Sequence, residues 1–154
     1  MAATINVNTL ASTSPNRAYD YVSHLPRHGE WATDDLKIEP EVAGPVQVGS
    51  TFSSAGTEPF LGGRVHHMKL TVTNVEPGRR FAFDSEDGLV VVHHEFRFSE
   101  VPGGTRIDRE ATWTKRPVAH YLLFPLILRR SLQKRFSAAQ ARLKDRLEQS
   151  ASDL

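Results

Sequence analysis

Two side chains stand out as able to do chemistry, His94 and Arg109, because each is embedded in apolar strand-like text. In the segment Val92 to Trp113, VHHEFRFSEVPGGTRIDREATW, alternate residues share a face. Val92, His94, Phe96 and Phe98 therefore line one side of a first strand, and Thr105, Ile107, Arg109, Ala111 and Trp113 one side of a second. Pro102, Gly103 and Gly104 supply the turn. An even-length loop sets Phe98 opposite Ile107, Phe96 opposite Arg109, His94 opposite Ala111 and Val92 opposite Trp113, with Arg97 facing Asp108 on the other side. That other side also carries His93, Glu95, Arg106, Glu110 and Thr112, which suit water, so the His94 and Arg109 face is the inward one. The two side chains then lie diagonally, within reach of each other or of one ligand. Burying an unpaired guanidinium costs several kcal/mol, so Arg109 needs a partner. A ligand carboxylate, carbonyl or enolate is one such partner; an internal network through Asp20, Asp84 or a backbone carbonyl is the other, unless a β-bulge turns the side chain outward.

His66 and Met68 alternate with Leu70 and Val72 in RVHHMKLTVTNVE, which puts His66 on the same inward face and sends His67 and His93 the other way. Neighbouring strand residues face opposite sides, so a His-His doublet is a poor chelator. With no cysteine in the chain and no zinc-type spacing, neither a metal nor a cofactor is expected. Trp31, Phe52, Phe81, Phe83, Phe96, Trp113 and Tyr121 are expected to line the interior, together with Leu128 and Leu132, although any one of these aromatics alone would serve as ordinary core. Tyr19 and Tyr21 flank the apolar stripe of the first helix and are expected to be partly exposed.

The elements that position these residues follow from the pattern. Ile5, Val7 and Thr9 alternate with Asn6 and Asn8 in a first strand, and Ser14-Pro15 is a helix start of N-cap followed by N1 proline. Ala18, Val22 and Leu25 mark one face of that helix. Pro26 ends it, and Arg27 to Ala32 reads as a second helical turn carrying Trp31. From Leu36 to Trp113 the text is strand and turn, in the segments LKIEPEVA, STFSSAGT, RVHHMKLTVTNVE, RRFAFDSE and the hairpin above. Gly44-Pro45, Pro59 to Gly63, Pro77-Gly78 and Asp87-Gly88 separate them. Leu128, Leu132, Phe136, Ala139, Leu143 and Leu147 recur at three- and four-residue steps, predicting one long amphipathic helix from Pro125 to Gln149.

The chain has 154 residues and a net charge of +1, the size of one domain with a sizeable core and without an overall attraction to polyanions. One domain over residues 1–149 with a loose tail at 150–154 is expected. No secretory signal pattern follows Met1, so a cytoplasmic protein is the default. The most apolar run, Val118 to Leu128, is about half the ~20 residues that span a bilayer. The C-terminal helix carries Arg129, Arg130, Lys134, Arg135, Arg142, Lys144 and Arg146 against Asp145 and Glu148. A solvated helix face explains that charge, and weak contact with anionic membrane through residues 118–135 is the sharper alternative. Without an RNA-binding motif or a stacking platform, nucleic acid is not an expected partner. Oligomeric state is not legible in these residues.

A strand, two short helices, a run of antiparallel strands and a long C-terminal helix make an α+β domain with the helices on one side of a curved sheet. That order, with PVQVGSTF (Pro45 to Phe52), LTVTNVEPGRRFAF (Leu70 to Phe83), FRFSEVPGGTRIDREATW (Phe96 to Trp113) and ARLKDRLE (Ala141 to Glu148), resembles the START-like, or SRPBCC, superfamily, and within it the polyketide cyclase/dehydrase-like branch. The resemblance implies a helix-grip fold, a seven-stranded antiparallel sheet wrapped around the C-terminal helix and enclosing an apolar cavity. Members bind lipids, sterols, plant hormones or polyketides, and some close or dehydrate polyketide rings. The loop Gly44 to Gly49 lacks the dense glycines of the plant pathogenesis-related members, so their residues are not carried over. The first expectation is a carrier or sensor of a small hydrophobic ligand, lipid or polyketide-like, with His94 and Arg109 reading its polar group. The alternative is a cyclase or dehydratase in which His94 or His66 is the base and Arg109 stabilises an enolate. Membrane-associated lipid transfer through residues 118–135 is a third reading.

Overall fold

The computed structural model describes residues 3–33, 35–58, 64–123 and 127–152. Strand β1 (Ala3–Ala11) is followed by helix α1 (Pro15–Ser23), a 3₁₀ helix (Leu25–Glu30) and strands β2 (Lys37–Pro40), β3 (Thr51–Glu58), β4 (Arg64–Glu76), β5 (Arg80–Glu86), β6 (Val91–Val101) and β7 (Gly104–Lys115). Helices α2 (Val118–Leu123) and α3 (Arg129–Ser152) close the chain. The strands form one seven-stranded sheet in the order β1-β7-β6-β5-β4-β3-β2, with antiparallel neighbours throughout.

Local chemistry explains the helix starts and turns. Ser14 is the N-cap of α1, its Oγ accepting from Arg17 N at 3.3 Å, with Pro15 in the first helical position. In the β5–β6 turn Asp87 Oδ1 accepts from Leu89 N and Val90 N at 2.9 and 2.8 Å. Of the expected separators, Pro59 to Gly63 lies outside the described residues. The β2 segment is shorter than the LKIEPEVA text: it ends at Pro40, after which Glu41 N still donates to the Thr51 carbonyl of β3 at 3.0 Å.

Two expectations about the C-terminus are corrected. The apolar text from Val118 onward forms a separate helix, α2, and α3 starts at Arg129, not at Pro125, which lies outside the described residues. At the other end α3 continues to Ser152, past the expected stop at Gln149 and into the segment read as a loose tail.

Side chains of α3 donate to backbone carbonyls on the facing elements: Gln133 to Asn6 at 3.1 Å, Lys144 to Leu10 at 3.0 Å, and Arg142 to Trp31 and Ala32 at 2.8 and 2.9 Å. Glu148 accepts from Ser12 N at 3.2 Å. Because β1 is an edge strand, the bonds at Asn6 and Leu10 occupy groups that would otherwise template another strand. Among the described residues the interior has two apolar clusters. One joins α1, Trp31, Phe81, Phe83, Phe96, Phe98 and the Ala139, Leu143 and Leu147 part of α3. The other joins Ile5, Val7, Val92, Ala111 and Trp113 with Leu128, Leu132 and Phe136 packed against it.

Candidate functional site

The β6–β7 hairpin has the register the alternation predicts. Phe98 pairs with Ile107, Phe96 with Arg109, His94 with Ala111, Val92 with Trp113, and Arg97 with Asp108 on the outer face. The loop is the two residues Pro102 and Gly103, since Val101 pairs with Gly104, and the register irregularity falls at Val91/Val92, beyond the functional pairs. Arg109 consequently points inward and is buried, at 7% exposure.

Its guanidinium lies among aromatic rings. The Cζ is 4.2 Å from the Phe136 ring centre, 5.4 Å from Phe96 and 5.7 Å from Trp31. Nε and Nη1 are enclosed and have no hydrogen-bond partner among the described residues. Neither carboxylate considered as an internal partner reaches it: Asp84 is on the outer side, where its Oδ1 is 2.6 Å from His93 Nδ1, and Asp20 is exposed on α1. Burial lowers the Arg109 pKa from its ordinary value to about 10, which leaves it cationic at neutral pH.

Two histidines share this interior. His94 stacks on Phe83 at 4.8 Å between ring centres, and its Nε2 is 3.2 Å from Ser85 Oγ, whereas Nδ1 is enclosed without a partner among the described residues. Burial first, then the charge of Arg109, holds its pKa well below 6.5, so the ring is neutral at pH 7. His28, which the sequence reading missed, is 3% exposed, packs its ring 4.7 Å from Trp31 and donates from Nε2 to the Val22 carbonyl at 2.6 Å. Burial brings its pKa down to about 4, and Arg109 adds to the effect. The signal that could have found it is its spacing, three residues before Trp31 on one short helical turn. Trp31 is fully buried, with Nε1 also unpartnered among the described residues. Trp31 Nε1 and the Arg109 nitrogens are donors only, so a group completing them must bring acceptor oxygens.

The other sequence-selected residues divide. Phe52, Phe81, Phe83, Phe96 and Trp113 are buried, Met68 packs against the larger cluster, and Leu128 and Leu132 against the smaller. His66 is on the inward face at the end of β4, but its Nε2 is 2.7 Å from Asp87 Oδ2, which ties it to the β5–β6 turn rather than to Arg109. Tyr121 is not interior: it is 53% exposed on α2 under the Arg116 guanidinium, because α2 buries no side chain. Tyr19 and Tyr21, expected to be partly exposed, are buried, Tyr19 edge-on to Phe81 and Phe98. On the outer face Glu95 is also buried, since Arg80, Arg97 and His93 close over its carboxylate. Gln140, also unforeseen, is 2% exposed on α3, donating to the Ile107 carbonyl at 3.4 Å.

An antiparallel sheet of seven strands gripping one long C-terminal helix, with isolated polar groups on its inward face, defines the helix-grip class of proteins. A family model described as polyketide cyclase / dehydrase and lipid transport matches residues 2–148, and the chain belongs to that family. No curated protein matches it in sequence. Among solved structures it is similar to the di-domain ARO/CYC StfQ from the steffimycin biosynthetic pathway, at 17% identity and a TM-score of 0.75, over 100% of this chain and 53% of that one. It is similar also to SA2116 of Staphylococcus aureus, a protein of unknown function, at 13% identity and a TM-score of 0.77 over 99% and 97% of the two chains. Ara h 8.0201 shares 10% identity with a TM-score of 0.71 over 96% and 98%. At these identities the likeness is one of fold.

Proposed function

We propose that the protein holds a small hydrophobic ligand, a lipid or a polyketide-like molecule, between the sheet and α3, as a carrier or sensor. The observation that carries this reading is the set of enclosed donors, Trp31 Nε1 and Arg109 Nε and Nη1, without partners among the described residues and surrounded by aromatic rings. A ligand carbonyl or carboxylate satisfies them while its apolar body replaces contacts among Phe96, Trp113 and Phe136. Affinity then comes from apolar burial, at about 25 cal/mol per Å², and orientation from the polar group. The family description, which names both polyketide enzymes and lipid transport, agrees with this ligand class.

The test is organic extraction and native mass spectrometry of purified protein, followed by thermal-shift screening of long-chain acids and aromatic polyketides. A bound apolar acid or ketone that Arg109→Met loses by at least roughly tenfold supports the reading, tenfold being a single charge-assisted hydrogen bond. No retained or bound apolar compound would sink it.

A cyclase or dehydratase is the second reading, favoured by the neutral, enclosed His94 beside a cation that would stabilise an enolate. It ranks second because a base whose conjugate acid titrates far below neutrality has little driving force for proton abstraction. Turnover of a polyketide substrate that survives His94→Gln combined with His66→Gln removes those histidines from the mechanism.

A further inference from the structure

Helix α2 buries none of its side chains. Val118 is 79% exposed, Leu122 69% and Leu123 46%, and Ile127 beyond it 60%. Leu89, 69% exposed, projects from the β5–β6 turn at the same end of the sheet, because Val91 pairs with Lys115 and Lys115 Nζ donates to the Gly88 carbonyl at 3.0 Å. Apolar side chains from two separate elements thus crown one end of the molecule, an arrangement that marks an interaction surface. The charge around them has one dominant sign. From Ala111 to Gln133 the sequence has four Lys or Arg and no Asp or Glu. Lys115 before α2 and Arg129 and Arg130 after Ile127 are exposed. Of the carboxylates at the β5–β6 turn, Asp87 is engaged by His66 and by the amides of Leu89 and Val90, and Glu86 is exposed at the end of β5.

We propose that this end of the protein docks on an anionic lipid bilayer, with Leu89, Leu122, Leu123 and Ile127 among the acyl chains and Lys115, Arg129 and Arg130 at the headgroup phosphates. A short apolar helix bracketed by cations fits a fluid anionic surface, which needs no matching shape. A second copy of the chain fits poorly, since it would bring the same cations face to face. The proposal does not depend on the ligand reading, and the two separate experimentally: Arg109→Met, altered only inside, docks as the wild type does.

Sedimentation with phosphatidylcholine vesicles, with and without about one-third phosphatidylglycerol, tests it at low and high salt. The wild type is expected to bind the anionic vesicles at low salt and to leave them at high salt. Arg129→Glu with Arg130→Glu lowers partitioning by at least about 25-fold, from roughly fivefold per basic residue. Leu122→Asp with Ile127→Asp lowers it by at least roughly tenfold, with circular dichroism and thermal midpoint unchanged because both side chains are exposed. The proposal is overturned if the wild type fails to bind, if both variants bind as the wild type does, or if neutral vesicles bind equally well. It is overturned too if ultracentrifugation shows a dimer that Leu122→Asp dissociates, which would give the surface to a second copy.

Discussion

Replacing Arg109 by Met is expected to make the ligand-free protein more stable. Burial brings the guanidinium pKa down from its ordinary value to about 10, and at about 1.4 kcal/mol per pH unit that sets roughly 3 kcal/mol against the buried charge. The rings of Phe136, Phe96 and Trp31, at 4.2, 5.4 and 5.7 Å, return part of this. Desolvated cation–π contacts contribute about 2 kcal/mol. What remains, with the apolar stem preserved in Met, is a gain of about 1–2 kcal/mol, or roughly 2–8 °C in thermal midpoint for a chain of this length. The sign does not change with ordinary pH. The folded pKa of this base lies below the unfolded one, yet both states are protonated below about pH 10, so the gain is flat from mildly acid to mildly alkaline solution. Urea and thermal unfolding of extracted, ligand-free protein measure it. A variant that is less stable than the wild type would refute the reasoning, because the guanidinium would then have a structural partner. A more stable variant with undiminished ligand affinity would remove its role in recognition.

Acid should weaken the fold through His28. Its folded pKa of about 4 lies below the unfolded 6.5, so the unfolded chain binds the extra proton between these values and stability falls as pH drops, by about 2 kcal/mol at pH 5. His28→Gln should flatten the difference between urea midpoints at pH 7 and pH 5 by that amount, and an unchanged slope would assign the acid sensitivity elsewhere. Leu143→Ala, at a fully buried position on α3, should cost about 2–5 kcal/mol of unfolding free energy; a smaller loss in urea titration would mean the helix is not clamped there. Phe136→Ala, at a partly buried position stacked on Trp113 and over Arg109, should cost less than the roughly 3–5 kcal/mol of a fully buried Phe→Ala but weaken ligand binding. Equal affinity in a ligand titration would place the ligand away from this ring.

The β6–β7 hairpin was legible because one inward face fixes register: a slip of one residue would expose Phe96, Phe98 and Ile107 and bury Arg97 and Asp108. The same alternation assigned His66 and Met68 to the inward face, but nothing in it could show that Asp87, in a turn, would hold the His66 ring. His28 was hidden because a 3₁₀ turn has no sustained period, so reading Arg27 to Ala32 as a helical turn did not say which of its polar side chains faces inward. The C-terminal helix was legible in its apolar stripe and illegible in its start. The leucines of α2 continue the hydrophobicity of α3, and composition cannot tell an exposed apolar segment from a buried one. Tyr121 was misplaced for that reason. Glu95 shows the converse: an outer-face carboxylate is buried because the long stems of Arg80 and Arg97 fold over it.

Arg109 stands where the two apolar clusters meet, with Trp31 and Phe96 on one side and Phe136 on the other. The grip of α3 is graded along the same line. Ala139, Leu143 and Leu147 are buried, and Arg142, Lys144 and Glu148 are bonded to the backbone beneath them, whereas Leu132 and Phe136 are only partly covered. A buried cation without an anion among the described residues penalises a dry contact at this seam, and the proposed oxygen-bearing ligand would relieve that penalty. The C-terminal part of α3 therefore secures the fold, while the N-terminal part is held by fewer buried groups and is where the proposed ligand would be accommodated. That part also follows α2, so the end proposed to meet the membrane and the end proposed to accommodate the ligand are the same end of the helix.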